Sequence, residues 1–204
     1  TAITTGAQLI LNSASAASTF ASKLTSASST DTLALLGVGT LTLSGDSSSN
    51  YTGQISVTNG TLNVTGKLGS ASGTTLTSGT VSGAGGTIGA LTSTIGNVTP
   101  GGTLKTGNVG LGAATNYNIA LVSSTSANNV DVTGTVNLGS AILNLTSVAS
   151  GLRAGNQVTI VTNDSNDNIV GTFAGLAEGA TVSAKDASGN TVNFRISYKG
   201  TDGS

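Results

Sequence analysis

Gly39-Thr40-Leu41-Thr42-Leu43 and Gly60-Thr61-Leu62-Asn63-Val64 state one phrase twice, and its first three residues return at Gly102-Thr103-Leu104. The second start lies one period after the first and the third start two periods further on, so the chain reads as a repeat with a period near 21. Units of roughly 20 to 50 residues cannot bury an apolar face alone and must stack on their neighbours. The phrase therefore predicts a solenoid, an all-β one if its units are strands.

Alternation inside the phrase says that they are. Apolar, polar, apolar recurs at Ile55-Ser56-Val57, Tyr117-Asn118-Ile119, Val130-Asp131-Val132, Leu143-Asn144-Leu145 and Val158-Thr159-Ile160. A period of two buries one face of a strand, and Gly, Asn and Ser at the boundaries supply the turns. Residues 10–36 are Ala- and Ser-rich, and Phe20 and Leu24, four apart, also fit a short helix; strands are the expectation here too. Pro100 before Gly101-Gly102 reads as a turn between successive units.

Composition fits thin stacked layers. Hydrophobic residues make up 37%, aromatics only 3%, and Trp, Met and Cys are absent, which leaves a narrow core of Val, Ile, Leu and Ala. Charged residues are 7%, against roughly 25% in an ordinary soluble domain, so hydroxyls and amides must carry the surface. A net charge of -1 offers nothing to a phosphate backbone or an anionic bilayer, and nucleic acid is excluded as a partner. No apolar run approaches roughly 18 residues, so direct membrane insertion is not expected. A polar β chain without thiols reads as extracellular, and with no signal-peptide pattern at its start it reads as a processed or partial chain.

Residues 1–150 are expected to form the solenoid. From Gly151 the texture changes, and 9 of the 15 charges fall between Arg153 and Asp202. Residues 151–204 are expected to be a C-terminal capping β segment continuous with the stack, since a solenoid exposes an apolar cross-section at its end. An antiparallel β-sandwich is the other fold considered for them. Thr191-Val-Asn-Phe-Arg-Ile-Ser-Tyr198 alternates cleanly and reads as a strand without a partner.

Val38-Gly-Thr-Leu-Thr-Leu-Ser-Gly-Asp46, Asn50-Tyr-Thr-Gly53, Val57-Thr-Asn-Gly-Thr-Leu-Asn-Val64 and Leu68-Gly-Ser70 together resemble the autotransporter-associated β-strand repeat. Val132 to Leu138, Gly171 to Ala180 and Phe194 to Tyr198 resemble the segment that closes such arrays. The resemblance implies a right-handed parallel β-helix with a C-terminal β cap. It also implies a secreted protein of the bacterial cell surface, an autotransporter passenger or part of a long adhesin, with no enzyme activity of its own.

Chemistry is sparse. Without His or Cys there is no Ser-His-Asp or Cys-His nucleophile and no imidazole or thiolate metal site. Glu178 is the only glutamate, so no catalytic residue and no cofactor are assigned. Asp164, Asn166 and Asn168 hold the alternate spacing that opens a calcium loop, but Ile169 and Gly175 stand where that loop needs Gly and Glu, which favours an Asx-rich turn. Gly83-Ala-Gly-Gly86 reads as a tight corner. Thr42, Thr58, Thr61, Thr75, Thr77 and Thr103 are candidates for one flat hydroxyl face. Of the aromatics a glycan site could use as a platform, Tyr51 is the most exposed by its neighbours, but Asn-Tyr-Thr also belongs to the repeat, which favours a structural tyrosine. Leu9, Ile10 and Leu11 at one end, and Phe194, Ile196 and Tyr198 at the other, are candidate edges for head-to-tail self-assembly. The function expected is a rod or self-assembling filament subunit; the alternative is an adhesin-type module that binds surface glycans or proteins.

Overall fold

The computed structural model describes residues 2–3, 8–12, 16–164 and 167–199. Among the described residues there is no helix, and the 10–36 stretch forms Gln8–Leu11, Ala17–Phe20, Thr25–Ser26 and Thr32–Leu35. Short strands are forced here because β-branched and aliphatic residues alternate with polar ones only briefly before Gly, Ser or Asn turns the chain. The turns stack as a parallel β-solenoid of about six turns.

Each turn contributes to three rows of strands. The first row runs through Gln8–Leu11, Thr32–Leu35, Gln54–Val57, Gly73–Leu76, the start of Ala90–Val98, the start of Val109–Leu121 and Val136–Asn137. The second runs through Ala17–Phe20, Thr40–Leu43, Thr61–Val64, Thr80–Ser82, the ends of the same two long strands, and Ile142–Val148. The third begins as single bridges joining Asp46, Lys67, Thr87 and Lys105, and widens into Thr103–Thr106, Asn129–Val132 and Val161–Asn163. The two long strands belong to two rows at once because they bend between them, at a register shift after Ser93 and at Gly96, whose φ is 127°.

The turns are unequal. Along the first row Ile10, Ala34, Ser56, Thr75, Thr92, Gly110, Asn137 and Val170 are successive partners. The turn therefore shortens from the Ile10-to-Ala34 span to the Thr75-to-Thr92 span, and then lengthens again to the Asn137-to-Val170 span. The period read from the phrase holds between Thr40 and Thr61, which are true register partners. Thr103 is different: it pairs with Asn129 in the third row, and the residue that follows Thr61 in the second row is Thr80. The third copy of the phrase thus sits on another face. The in-register glycines are Gly39, Gly60, Gly79 and Gly96, and the carbonyls of the first three each accept from the residue after the next glycine.

Inward columns form the core: Leu9, Leu33, Ile55, Thr74, Leu91, Val109 and Val136 in one, Leu41, Leu62, Val81, Val98 and Tyr117 in another. From the second turn to Tyr117 these residues are buried, and Leu62, Val64, Leu76, Leu91 and Val98 are wholly so.

The stack continues past residue 150. Val161–Asn163 pairs with Val130–Val132, and Val170 bridges Asn137. Among the described residues the remainder forms no sandwich. Thr181–Lys185 and Thr191–Arg195 pair as a single antiparallel hairpin, so the expected lone strand has a partner in its own chain. Phe194, Ile196 and Tyr198 pack against the core, and Phe173 stacks on Tyr117 at a centroid separation of 5.5 Å and lies tilted against Tyr198 at 6.3 Å.

Candidate functional site

Outward positions carry whatever the surface can do, and the register aligns them. On the second row Thr40, Thr61, Thr80, Asn97 and Asn116 are successive partners, flanked by a parallel file that includes Thr42, Asn63, Ser82, Asn118 and Asn144. These side chains bond one another along the axis. Asn63 donates to Thr42 (3.3 Å), Asn97 to Thr80 (3.4 Å), Asn118 to Thr99 (3.0 Å), and Asn144 to both Asn116 and Asn118 (3.2 and 3.0 Å). Asn63, Asn97, Asn118 and Asn144 each place amide N–H groups on a neighbouring turn of the rod itself.

Between Thr32 and Ser150 charge is confined to another line. Asp46, Lys67, Thr87, Lys105, Asp131 and Thr162 are successive partners on the third row. All four charged residues between Thr32 and Ser150 belong to it. The Asp46 carboxyl is held below its usual range, chiefly because the Ser48 hydroxyl and backbone N–H donate to it, with Lys67 and Lys23 adding attraction.

The six threonines singled out from the sequence do not share a face. Thr42 and Thr61 lie on the second row, Thr75 on the first and Thr103 on the third. Thr58 and Thr77 follow the first row, where Thr77 donates to Thr58 at 3.3 Å. The unequal turns hid the true files, which mix Thr with Asn and Ser.

Tyr51 is fully buried. Its hydroxyl donates to the Gln54 carbonyl at 2.8 Å, and burial pushes its pKa up to about 12. Tyr117 is buried as well and Tyr198 partly so, which leaves no fully exposed tyrosine to stack on a sugar.

In the Asx-rich segment Asn163 donates to the Asp167 carbonyl (2.6 Å) and carboxylate (3.0 Å), closing a turn. Asp164 and Asn168 are exposed, and Asn166 lies outside the described residues. Among the described residues no three His, Cys, Asp or Glu side chains gather in a metal-holding group.

The two sets of edge residues occupy opposite ends. Leu9 and Leu11 are half-buried and Ile10 is 50% exposed on the first turn. At the far end the Tyr198 hydroxyl donates to the Leu176 carbonyl (2.7 Å) and accepts from the Phe173 N–H (3.1 Å), while Glu178 accepts from the Tyr198 N–H (2.8 Å). That bond is the main reason the Glu178 carboxyl sits below its usual range. Among known proteins, no family model matches the chain and no curated protein is significantly similar to it.

Proposed function

We propose that the chain is a non-enzymatic structural segment of a bacterial cell-surface protein, a β-solenoid that serves extension and assembly. The observation that supports this reading is the use of the outward amides and hydroxyls: they bond from turn to turn along the axis instead of converging on a pocket. About six turns at about 4.8 Å each span only about 29 Å. Extension therefore requires further turns or further copies, as in the passenger-type arrays that the Gly-Thr-Leu phrases resemble, with their right-handed winding. The adhesin reading is weaker, because the aromatics it would use as a platform are packed inside.

Location is tested on intact cells of the source bacterium with an amine reagent that does not cross membranes. Lys67 and Lys105 are exposed and should be modified without lysis. Modification seen only after lysis would overturn the surface assignment.

A further inference from the structure

We infer that Asn59-Gly60 is a site of self-modification: the Gly60 peptide nitrogen closes on the Asn59 side chain, ammonia leaves, and the corner becomes aspartate or isoaspartate. The site lies on an interior turn, with the Gly39 corner on one side of it and the Gly79 corner on the other.

Asn59-Gly60 is the only place in the sequence where glycine follows asparagine; every other asparagine precedes a residue whose side chain shields the next peptide nitrogen. The fold demands glycine here, because Gly60 has a φ of 67° and a Cβ on it would meet the backbone of the neighbouring turn. It does not demand asparagine in front of that glycine. At the same corner of the neighbouring turns the register places Val38 before Gly39, Ser78 before Gly79 and Ile95 before Gly96. All four positions face solvent, Val38 and Ile95 being 59% and 53% exposed.

The Asn59 side chain is already folded over the peptide that would attack it. Its carbonyl oxygen accepts from the Gly60 N–H at 2.9 Å, which brings Cγ beside the nitrogen that closes a five-membered ring with it. The N–H groups on either side are held by the stacked turn: Asn59 donates to the Leu35 carbonyl (3.3 Å) and Thr61 to the Gly39 carbonyl (3.0 Å). Gly60 instead donates to this local side-chain acceptor, a contact of the kind that competes with backbone ladders. The amides of Asn63, Asn97, Asn118 and Asn144, by contrast, donate to neighbouring turns.

Hydroxide removes the Gly60 amide proton, the nitrogen bonds to Asn59 Cγ, and the Cγ–Nδ2 bond breaks; the leaving nitrogen takes a proton from water, so ammonia departs and hydroxide is regenerated. Water then opens the cyclic imide. Cleavage at Cγ leaves aspartate, whereas cleavage at the Asn59 main-chain carbonyl leaves isoaspartate, whose backbone runs through the side chain and is longer by one methylene. The Gly60 carbonyl accepts from the Thr80 N–H (2.8 Å), so that added length falls between turns held in register.

Peptide mass spectrometry over time tests this on the folded chain at neutral and mildly alkaline pH, beside the same chain in urea and beside Asn59→Ser, which copies the Ser78-Gly79 corner. In the folded chain the peptide carrying Asn59 should pass through a form lighter by one ammonia and end as two acidic isomers. Its rate should rise in proportion to hydroxide while the other asparagines stay intact, and Asn59→Ser should fold and remain unmodified. Conversion of Asn59 in urea but not in the folded chain, earlier conversion of another asparagine, or equal ammonia release from Asn59→Ser would each overturn the inference. The isoaspartate isomer should melt below the aspartate isomer; equal melting temperatures would overturn the placement of the added methylene between stacked turns.

Discussion

Gly60 carries the chain around a corner that no other residue fits. Its φ is 67°, and a Cβ there would lie 2.3 Å from the Gly37 carbonyl oxygen and 2.4 Å from that of Gly39, in the turn stacked against it. Gly85 has a similar φ of 78° but open space around it. Left-handed backbone costs an L-residue roughly 1–2 kcal/mol, and a clash with fixed backbone adds roughly 1–3 kcal/mol. Gly85→Ala should therefore lower stability by about 1 kcal/mol and Gly60→Ala by at least about twice that, measured by urea denaturation; equal losses would refute the packing argument. Tyr51 gives a second test at this scale. Burial raises its folded pKa to about 12, above about 10 in the unfolded chain, so the stability tied to its neutral form is complete below about pH 10 and is lost as pH rises toward 12. Phenolate absorbance on alkaline titration should appear together with loss of β signal, and Tyr51→Phe should shift the transition upward in pH. That Tyr51 is structural was legible, because Asn50-Tyr51-Thr52 belongs to the repeat; where its hydroxyl goes was not, and only the fold shows the Gln54 carbonyl receiving it.

Alternation is a local property, and at the level of strands it was legible: Thr40–Leu43, Thr61–Val64 and Asn129–Val132 lie where their patterns put them. Which strands stack was less legible, because register depends on turn lengths that nearly double between the Thr75-to-Thr92 span and the Asn137-to-Val170 span. The repeat pointed to the right architecture although one of its three copies, at Thr103, belongs to another row. The candidate edges were legible as apolar clusters, but not that Phe194, Ile196 and Tyr198 pack against the core of their own chain. Within a strand, position in the column decides what a hydroxyl costs. Thr74 sits between Ile55 and Leu91 with a buried hydroxyl that has no hydrogen-bond partner, whereas the buried hydroxyls of Ser93 and Thr115 pair at 2.8 Å. Replacing an unpaired buried hydroxyl by a methyl removes a desolvation cost of roughly 1–3 kcal/mol. Thr74→Val should raise the melting temperature, and Thr115→Val, which also strips Ser93 of its partner, should lower it. The hairpin supplies the acid test. Asp186 accepts from the backbone N–H of Asn190 and Ser188 at 2.8 and 2.9 Å, and the Asn190 bond is the chief cause that depresses its pKa; Glu178 and Asp46 are depressed as well. Depressed carboxylates stabilise the fold above their unfolded pKa and lose that contribution as pH falls through the folded value. Unfolding should therefore become easier below about pH 4, and Asp186→Asn should flatten that dependence, read from melting temperatures between pH 6 and pH 2.

Stacked turns make the molecule nearly one-dimensional, since each turn touches only its neighbours. Stability then depends on how many sides of a turn are covered. Interior turns have partners above and below, and their inward residues Val57, Leu62, Val64, Leu76, Leu91 and Val98 are wholly buried. Among the described residues the first turn pairs with the second alone in the first and second rows, and its inward residues Leu9, Leu11 and Phe20 are half-buried. Opening that turn breaks one set of ladder bonds; opening an interior turn breaks two and exposes two apolar layers. Local opening energies span from near zero to the global value, so amide exchange should report this gradient directly. Protection should rise from Ala17–Phe20 through Thr40–Leu43 to a plateau over Gln54–Leu76, and Leu62→Asp should collapse the plateau at a cost of several kcal/mol.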